Sequence, residues 1–340
     1  MRPKQYARGA LRLLGAKLRG GRFPLQAHVR VIDSCNLRCA YCFGDYPVRG
    51  TPPPSTKQLS DLMDGLGRLG TIRITLTGGE PLLRDDIVEV TARAVERGMG
   101  VSLTSNGILM EKRLDLLPLL DQLTVSLDGD RSVHDANRGE GSWGKAVHAI
   151  ELAREKGTPV QLLCTVNRET TVGLRDVFHL ADRYECSVTF DILAPLYGAS
   201  GGMTPREQAA SDERIREIIA GISRENQHRL VLSKSVLKYI KSWPFGYARY
   251  RVLSPEIPGD FKPIPCSAGR FFAIVETDGS LYPCCRIDQA YPAPNAYRLG
   301  IEEAWRRMPP HNCAACCSAG FSMFNALMAW EPGSIFHLLK

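Results

Sequence analysis

From about residue 27 the chain alternates short apolar, β-branched runs with helical patterns, and this alternation restricts the fold more than any other feature. The runs that read as strands lie near Ala27–Ile32, Ile72–Thr77, Val101–Thr104, Leu123–Leu127, Val160–Val166 and Ser187–Leu193. Amphipathic helical periodicity fills the intervals near Thr56–Leu69, Asp86–Arg97, Lys112–Leu117, Trp143–Lys156 and Leu174–Tyr184. Strands alternating with helices of this length pack as right-handed βαβ units on a parallel sheet. Six repeats predict an α/β chain whose residues 27–200 form a partial (βα)6 TIM-like barrel. Such barrels carry their chemistry in the loops at the C-terminal ends of the strands.

The loop after the first predicted strand holds Cys35, Cys39 and Cys42 in the spacing C-x3-C-x2-C. Three thiolates this close suit one inorganic centre, and no fourth thiol lies near them in sequence. A 4Fe–4S cluster takes one thiolate per iron, so three ligands leave one iron open for an exogenous molecule. A zinc site with a distant fourth ligand, or inert buried thiols, are the plainer readings. Tyr41, beside the third cysteine, is placed to lie against a flat ring. In these residues the chain resembles the radical S-adenosylmethionine (radical SAM) superfamily, whose signature is this spacing with an aromatic before the last cysteine. The resemblance implies reductive cleavage of bound S-adenosylmethionine to a 5′-deoxyadenosyl radical, which abstracts hydrogen from an unactivated C–H bond.

Thr77-Gly78-Gly79-Glu80-Pro81 follows the second predicted strand. Glycines allow a close backbone approach, and a glutamate accepts from an ammonium. By resemblance, Gly78, Gly79 and Glu80 hold the methionyl amino group. Ser105 and Asn106 end the third strand, Ser126 the fourth, and Arg138 follows in His134-Asp135-Ala136-Asn137-Arg138-Gly139. Polar groups at successive strand ends suit ribose hydroxyls and a carboxylate, with Arg138 as the bidentate carboxylate partner. Asn-Gly and Asp-Gly are also turn formers, and Ser105 or Asp128 could cap helices. His134 reads either as an acid–base group or as a loop histidine that stabilises its own turn.

A second set of cysteines lies near the C-terminus. Cys266 and Cys284 flank a predicted hairpin, Phe271–Glu276 and Ser280–Tyr282, that turns at Asp278-Gly279. After a helix near Ile301–Arg307, Cys313 and Cys316 form a C-x2-C loop. Two pairs of thiolates suit zinc or an Fe–S cluster. The pattern resembles the twitch module, the shortened SPASM extension of radical SAM barrels, and so implies one auxiliary 4Fe–4S cluster on Cys266, Cys284, Cys313 and Cys316. The expected boundaries are 201–260 for a bridging helix and linker, with a helix near Glu207–Arg224 after a loop at 196–210. Residues 261–320 are expected to form the twitch module and 321–340 an apolar C-terminal segment. Cys285 and Cys317 are left over, because successive strand residues point oppositely. They read as small buried hydrophobes or as hydrogen-atom donors to a substrate radical. Cys164 and Cys186 read as core.

Eleven cysteines with no signal peptide point to metal ligation in a reducing, cytoplasmic compartment rather than a disulfide scaffold. Residues 1–22 carry seven of the 43 Lys and Arg residues and no acid, leaving 36 bases against 36 acids in the remainder. A formally neutral body argues against a nucleic-acid substrate. Residues 1–26 read as a basic amphipathic segment, with Tyr6, Ala10, Leu14 and Leu18 on one face and Leu11 beside it. Such a helix suits an anionic membrane surface on the inner face of a membrane. The apolar run Phe321, Met323, Phe324, Leu327, Met328 and Trp330 reads as packing against the barrel or as a second membrane contact.

Two substrate classes follow. A small molecule or lipid undergoing oxidation, epimerisation or radical coupling is the first expectation, because about 26 residues before the barrel leave little room for a leader-binding domain. A ribosomally made peptide is the second, and a non-catalytic Fe–S or zinc scaffold the third. An electron donor such as flavodoxin or ferredoxin is implied by the resemblance.

Overall fold

A computed structural model describes residues 3–42, 50–193, 209–225, 228–253, 256–287 and 290–338. Six strands run parallel in chain order: β1 (Gln26–Ile32), β2 (Arg73–Gly78), β3 (Gly100–Ser105), β4 (Gln122–Ser126), β5 (Val160–Val166) and β6 (Ser187–Ile192). This is the partial barrel sheet that the alternation predicts. One strand face carries Ala27, Val29, Ile74, Leu76, Val101, Leu103, Leu123, Val125 and Leu162, all fully buried. Helix α1 (Pro3–Leu18) precedes the barrel and sits at the N-terminal ends of the strands, while α2 (Thr56–Leu69), α3 (Ile87–Glu96), α4 (Arg131–Arg138), α5 (Ser142–Glu155) and α6 (Thr170–Arg183) alternate with the strands on the apolar side. The intervening positions turn the other way, as a pleat requires. They carry Arg30, Arg73, Thr75, Ser102, Thr124, Gln161 and Asp191, so the open face of the sheet is polar.

Local chemistry sets the helix ends. Ser55 and Gln58 form a reciprocal capping box on α2, which stops at Gly70 with φ 91°. Asp130 caps α4 by accepting from the Val133 amide. Two expectations need correction here. Residues 112–117 form no α-helix: short 3-10 turns at Met110–Lys112 and Leu117–Leu119 replace it, the second carrying Pro118 in its first turn. His134 sits on helix α4 rather than in a loop.

After β6 come α7 (Asp212–Glu225), α8 (Lys234–Lys241) and β7 (Arg251–Leu253). The predicted loop at 196–210 lies almost wholly outside the described residues, and α7 begins five residues later than the helix expected from Glu207. The predicted hairpin is β8 (Phe272–Val275) with β9 (Leu281–Tyr282). Its first strand pairs in parallel with β1, Gln26 opposite Phe272, so one eight-stranded sheet runs β6-β5-β4-β3-β2-β1-β8-β9. The expected border near residue 261 thus crosses a continuous sheet and a continuous apolar core. The chain continues through α9 (Ala296–Leu299), α10 (Ile301–Arg307), β10 (Cys313–Cys316), α11 (Ala319–Met328) and α12 (Pro332–Leu338). Phe321 and Phe324 of α11 pack edge-on against Phe272, and Met323 and Ala326 join the core, so this apolar segment largely covers the hairpin. Cys164 and Cys186 are fully buried in the same core, as expected.

Candidate functional site

Cys35, Cys39 and Cys42 stand on the loop that leaves the C-terminal end of β1, all three half-buried and free. Burial, and then the negative fields of Glu80, Cys39 and Cys42, push the Cys35 thiol up to about 11. Burial also raises the Cys39 thiol, and a cation bound between the thiols would favour their ionised forms. The Leu37 amide donates to Cys35 Sγ at 3.4 Å, and the Cys42 amide to the Cys39 carbonyl at 3.1 Å.

The loop is held from its neighbours. Gly79 N donates to the Ile32 carbonyl at 2.7 Å, and Glu80 N to the Ser34 carbonyl at 2.9 Å. A Cβ on Gly79 would stand 2.1 Å from the Ser34 oxygen, and one on Gly78, at φ 142°, would stand 2.2 Å from the Ile32 oxygen. Both glycines are thus demanded by the approach of β2 to the cysteine loop itself, not only by any ligand. The Glu80 carboxylate, fully buried, accepts from Leu82 N at 3.1 Å, Ser105 Oγ at 2.9 Å and Asn106 N at 2.8 Å. Burial pushes it up to about 7 despite those donors. Asn106 Nδ2 reaches back to Asn36 Oδ1 at 2.8 Å. Ser105 and Asn106, expected to face a cofactor, are here spent on Glu80 and on the loop.

Arg138 and Tyr41 also differ from expectation. The Arg138 guanidinium makes a two-point pair with Asp128, Nε to Oδ2 at 2.7 Å and Nη2 to Oδ1 at 3.2 Å. Tyr41 donates its hydroxyl to the same carboxylate, and Arg138 lies 5.4 Å from the ring centroid. All three groups are buried, and an arginine out of water needs a paired anion. Asp128 thus takes the place that the expectation gave to a ligand carboxylate. His134 Nδ1 accepts from the Asp128 amide at 3.3 Å, and burial lowers the imidazole to about 4. It is therefore held in its neutral form at neutral pH, with Nδ1 turned to the backbone. Ser126 lies at the mouth, on the polar face at the end of β4.

Cys266, Cys284, Cys313 and Cys316 line one cavity together with Arg251, Arg286, His311 and Asn325, around some 360 Å³ of space partly open to solvent. They arrive from three separate segments. Cys313 and Cys316 lie on β10, not in a loop, and are three residues apart, which would put them on opposite faces of a regular strand. A register shift corrects this: Cys313 pairs with Leu253, Ala315 with Val252 and Cys316 with Arg251, leaving Ala314 as a bulge. Cys313 hydrogen-bonds to Cys266, which lowers the Cys266 thiol to about 6 and raises its own. His311 Nε2 faces the Ala268 carbonyl at 2.9 Å, so it carries the proton, and Nδ1 accepts from the Cys313 amide at 3.2 Å. The Arg286 amide donates to Cys284 Sγ at 3.4 Å. Four soft donors around one shared space suit a thiolate-bound inorganic centre. Among the described residues, no three His, Cys, Asp or Glu side chains are gathered tightly enough to hold a single metal ion.

Asp191, at the end of β6, joins this cavity to the barrel. Its Oδ2 accepts from Arg286 Nη2 at 2.5 Å and Ser318 Oγ at 3.2 Å, and its Oδ1 from the Ala319 amide at 3.2 Å. It therefore caps α11 in trans, where Ser318 makes no side-chain cap of its own. The ion pair of Arg30 and Glu276, at 2.7 Å, ties β1 to the hairpin turn. Cys317 is buried in the apolar core, whereas Cys285 is half-buried within the fields of Arg286, Arg30 and Asp191. Asn36, Asp128, Asp191 and Arg286 were missed by sequence reasoning. Only Asp128 had a signal, in the run Ser126-Leu127-Asp128-Gly129.

Comparison with known proteins follows the same outline. Residues 29–181 match the model of the radical SAM superfamily. Mycofactocin maturase MftC of Mycobacterium tuberculosis is 30% identical over 324 residues, covering 91% of this chain and 79% of the relative. The AdoMet-dependent heme synthase of Nitratidesulfovibrio vulgaris is 28% identical over 336 residues and 89% of each chain. The PqqA peptide cyclase of Granulibacter bethesdensis is 26% identical over 315 residues, 86% of this chain and 79% of that one. The solved structure of Streptococcus suis SuiB bound to precursor peptide SuiA superposes with a TM-score of 0.65 at 15% identity, over 91% of this chain and 71% of that one. An N-terminal thiol trio at the mouth of a parallel βα sheet, in a chain related to these enzymes over most of its length, places the protein in the radical SAM superfamily of iron–sulfur enzymes.

Proposed function

We propose that the protein is a radical SAM enzyme that modifies a peptide. The observation that carries this reading is the likeness to a maturase and to a peptide cyclase over more than four-fifths of the chain. It reverses the order of the sequence expectation, which preferred a small molecule or lipid on the slender ground of the length before β1. The small-molecule reading keeps one specific support, the heme synthase relative that matches 89% of this chain.

In this reading Cys35, Cys39 and Cys42 hold a 4Fe–4S cluster with one open iron, and Cys266, Cys284, Cys313 and Cys316 hold an auxiliary one. The first centre, when bound and reduced by a flavodoxin- or ferredoxin-like donor, supplies the reductive cleavage of S-adenosylmethionine to the hydrogen-abstracting 5′-deoxyadenosyl radical. The Gly78–Glu80 edge receives the methionyl amino group, with Glu80 as its counter-charge, and Ser126 offers a hydroxyl at the mouth. Ser105 and Asn106 act by fixing Glu80. Arg138, through Asp128, fixes Tyr41 and hence the backbone between Cys39 and Cys42. Both spare thiols lie within the fields of Asp191 and Arg286; Cys285, half-buried where Cys317 is fully buried, is the more accessible candidate for a hydrogen donor to a substrate radical. Free thiols throughout the chain suit a reducing cytoplasm.

The test uses anaerobically reconstituted protein, S-adenosylmethionine, a strong reductant and short peptides encoded beside its gene. A change in peptide mass with deuterium transfer into 5′-deoxyadenosine is expected. Transfer from a porphyrin or another small molecule, with all peptides inert, would overturn the peptide reading. Absence of 5′-deoxyadenosine under every condition would overturn the activity.

A further inference from the structure

Helix α1 has an inner and an outer face. Gly9, Leu13 and Lys17 make the inner one. A Cβ on Gly9 would meet Ile72 Cδ1 at 2.5 Å. Leu13 is buried in a small cluster with Leu25, Phe271 and Met328. Lys17 donates to the Met328 carbonyl and lies 5.0 Å from the centroid of the Trp330 ring. Arg12 reaches over Gly70, at the C-terminal end of α2, where a cation meets the negative end of the helix. The helix is thus docked by one side.

Its other side covers nothing. Leu11, Leu14 and Leu18 are 72%, 41% and 79% exposed, at successive spacings of three and four residues that align them on one stripe. Trp330, 47% exposed, stands against Lys17 near the C-terminal end of the helix. Exposed large apolar side chains elsewhere are fewer: among the described residues Phe336 belongs to the terminal helix α12, and Leu83 and Leu299 barely exceed a third. The leucine stripe runs through a stretch, residues 1–22, with seven Lys and Arg residues and no acid.

We propose that this stripe docks the protein on an anionic lipid surface, α1 lying in the headgroup region with Leu11, Leu14, Leu18 and Trp330 inserted. The charge balance selects this occupant. A second copy on a twofold axis would set one acid-free basic segment against another, and like charge repels. Anionic headgroups complement it, and leucines on a convex helix need no shaped pocket to enter an acyl boundary. No described helix is long and apolar enough to cross a membrane, so the contact is superficial. The residues that seat α1, Leu25, Ile72 and Phe271, precede β1, β2 and β8. The cysteine loop, Glu80, Ser105 and Ser126 lie at the opposite strand ends. The docked protein therefore turns its active mouth away from the lipid, toward substrates arriving from solution. This inference is independent of the substrate reading above.

The test is co-sedimentation of the full chain with vesicles of phosphatidylcholine alone and with phosphatidylglycerol at one third. Wild type is expected to pellet with the anionic vesicles only, and less as salt is raised. Leu11→Ser/Leu18→Ser, whose positions are exposed and whose melting temperature should match wild type, is expected to lose at least tenfold in vesicle affinity. Failure of wild type to bind anionic vesicles, or equal binding by the double variant, would overturn the proposal. So would a wild-type dimer in light scattering that the double variant converts to monomer, because the stripe would then be covered by a second copy.

Discussion

The two sets of thiols are built in opposite ways. The N-terminal trio comes from a single loop of eight residues, and its supports, Asn106, Glu80 and Asp128, reach it from three successive strand ends. The C-terminal four come from separated segments and are brought to one cavity by a hairpin, a bulged strand and the Asp191 clamp. A loop trio fits an open coordination site, because its spacing supplies three thiolates for four corners. Four converging donors close their site, and their second layer of His311, Asn325, Arg251 and Arg286 surrounds it. Binding of an outside molecule belongs to the first kind of site, and a fixed charge state to the second.

The largest effect that could break this contrast is loss of a ligand. Cys35→Ala should abolish 5′-deoxyadenosine formation and lower iron from about eight to about four atoms per chain. Cys266→Ala should lower iron similarly, yet retain cleavage of S-adenosylmethionine. If both variants lose cleavage equally, the division of labour is wrong. Next in size is Asp191→Ala, which leaves Arg286 without its anion. A loss of about 2–3 kcal/mol in unfolding free energy is expected, below that of a fully buried pair because a third of the Asp191 side chain meets solvent. Arg286→Met in the Asp191→Ala background should recover part of it, measured by chemical denaturation.

His28, on the strand shared by both halves, gives a pH-dependent joint. Burial, with Arg30 and Arg73 nearby, lowers its imidazole to about 3. The unfolded chain therefore binds a proton that the folded chain refuses between pH 6.5 and 3, and stability falls as pH falls through that window. At pH 5 the loss is about 2 kcal/mol, from about 1.4 kcal/mol per pH unit below 6.5. His28→Gln should lose correspondingly less between pH 7 and pH 5 in thermal melts, and an identical loss would remove His28 from the joint. The smallest expected effect is electronic. Arg286→Gln removes a cation from the rim of the closed site and should lower its reduction potential by about 60 mV, a tenfold change in a one-electron ratio. EPR-monitored titration should find the open site unmoved.

The barrel was legible because each strand needs one fully apolar face, and alternation written into residues such as Val29, Ile74 and Val125 reports that directly. The six strands and most of their helices fall within a few residues of expectation. What was illegible depends on pairing between remote segments. β7 and β10 are each too short to show a period, and Cys313-Ala314-Ala315-Cys316 reads as a loop until its partner Arg251–Leu253 is seen. Helix α4 was hidden by the turn formers Asp128-Gly129 and Asn137, although Asp130 is an ordinary cap. Among site residues, the cysteines announce themselves by spacing. Asp128, Asp191 and Arg286 do not, because a buried ion pair has no fixed separation along the chain.

The parallel pairing of Gln26–Val29 with Phe272–Val275 has a consequence for biosynthesis. On the ribosome, β1 emerges about 240 residues ahead of β8, so its outer edge finds this partner only after that length of chain has been made. Until then a row of amides beside the cysteine loop stays uncovered, in a nascent chain inclined to add strands from elsewhere. The closing hairpin is also the segment that delivers Cys266 and Cys284. Sealing that edge and assembling the second thiol set are therefore one late event, and a translation arrest ahead of it should leave a product that aggregates.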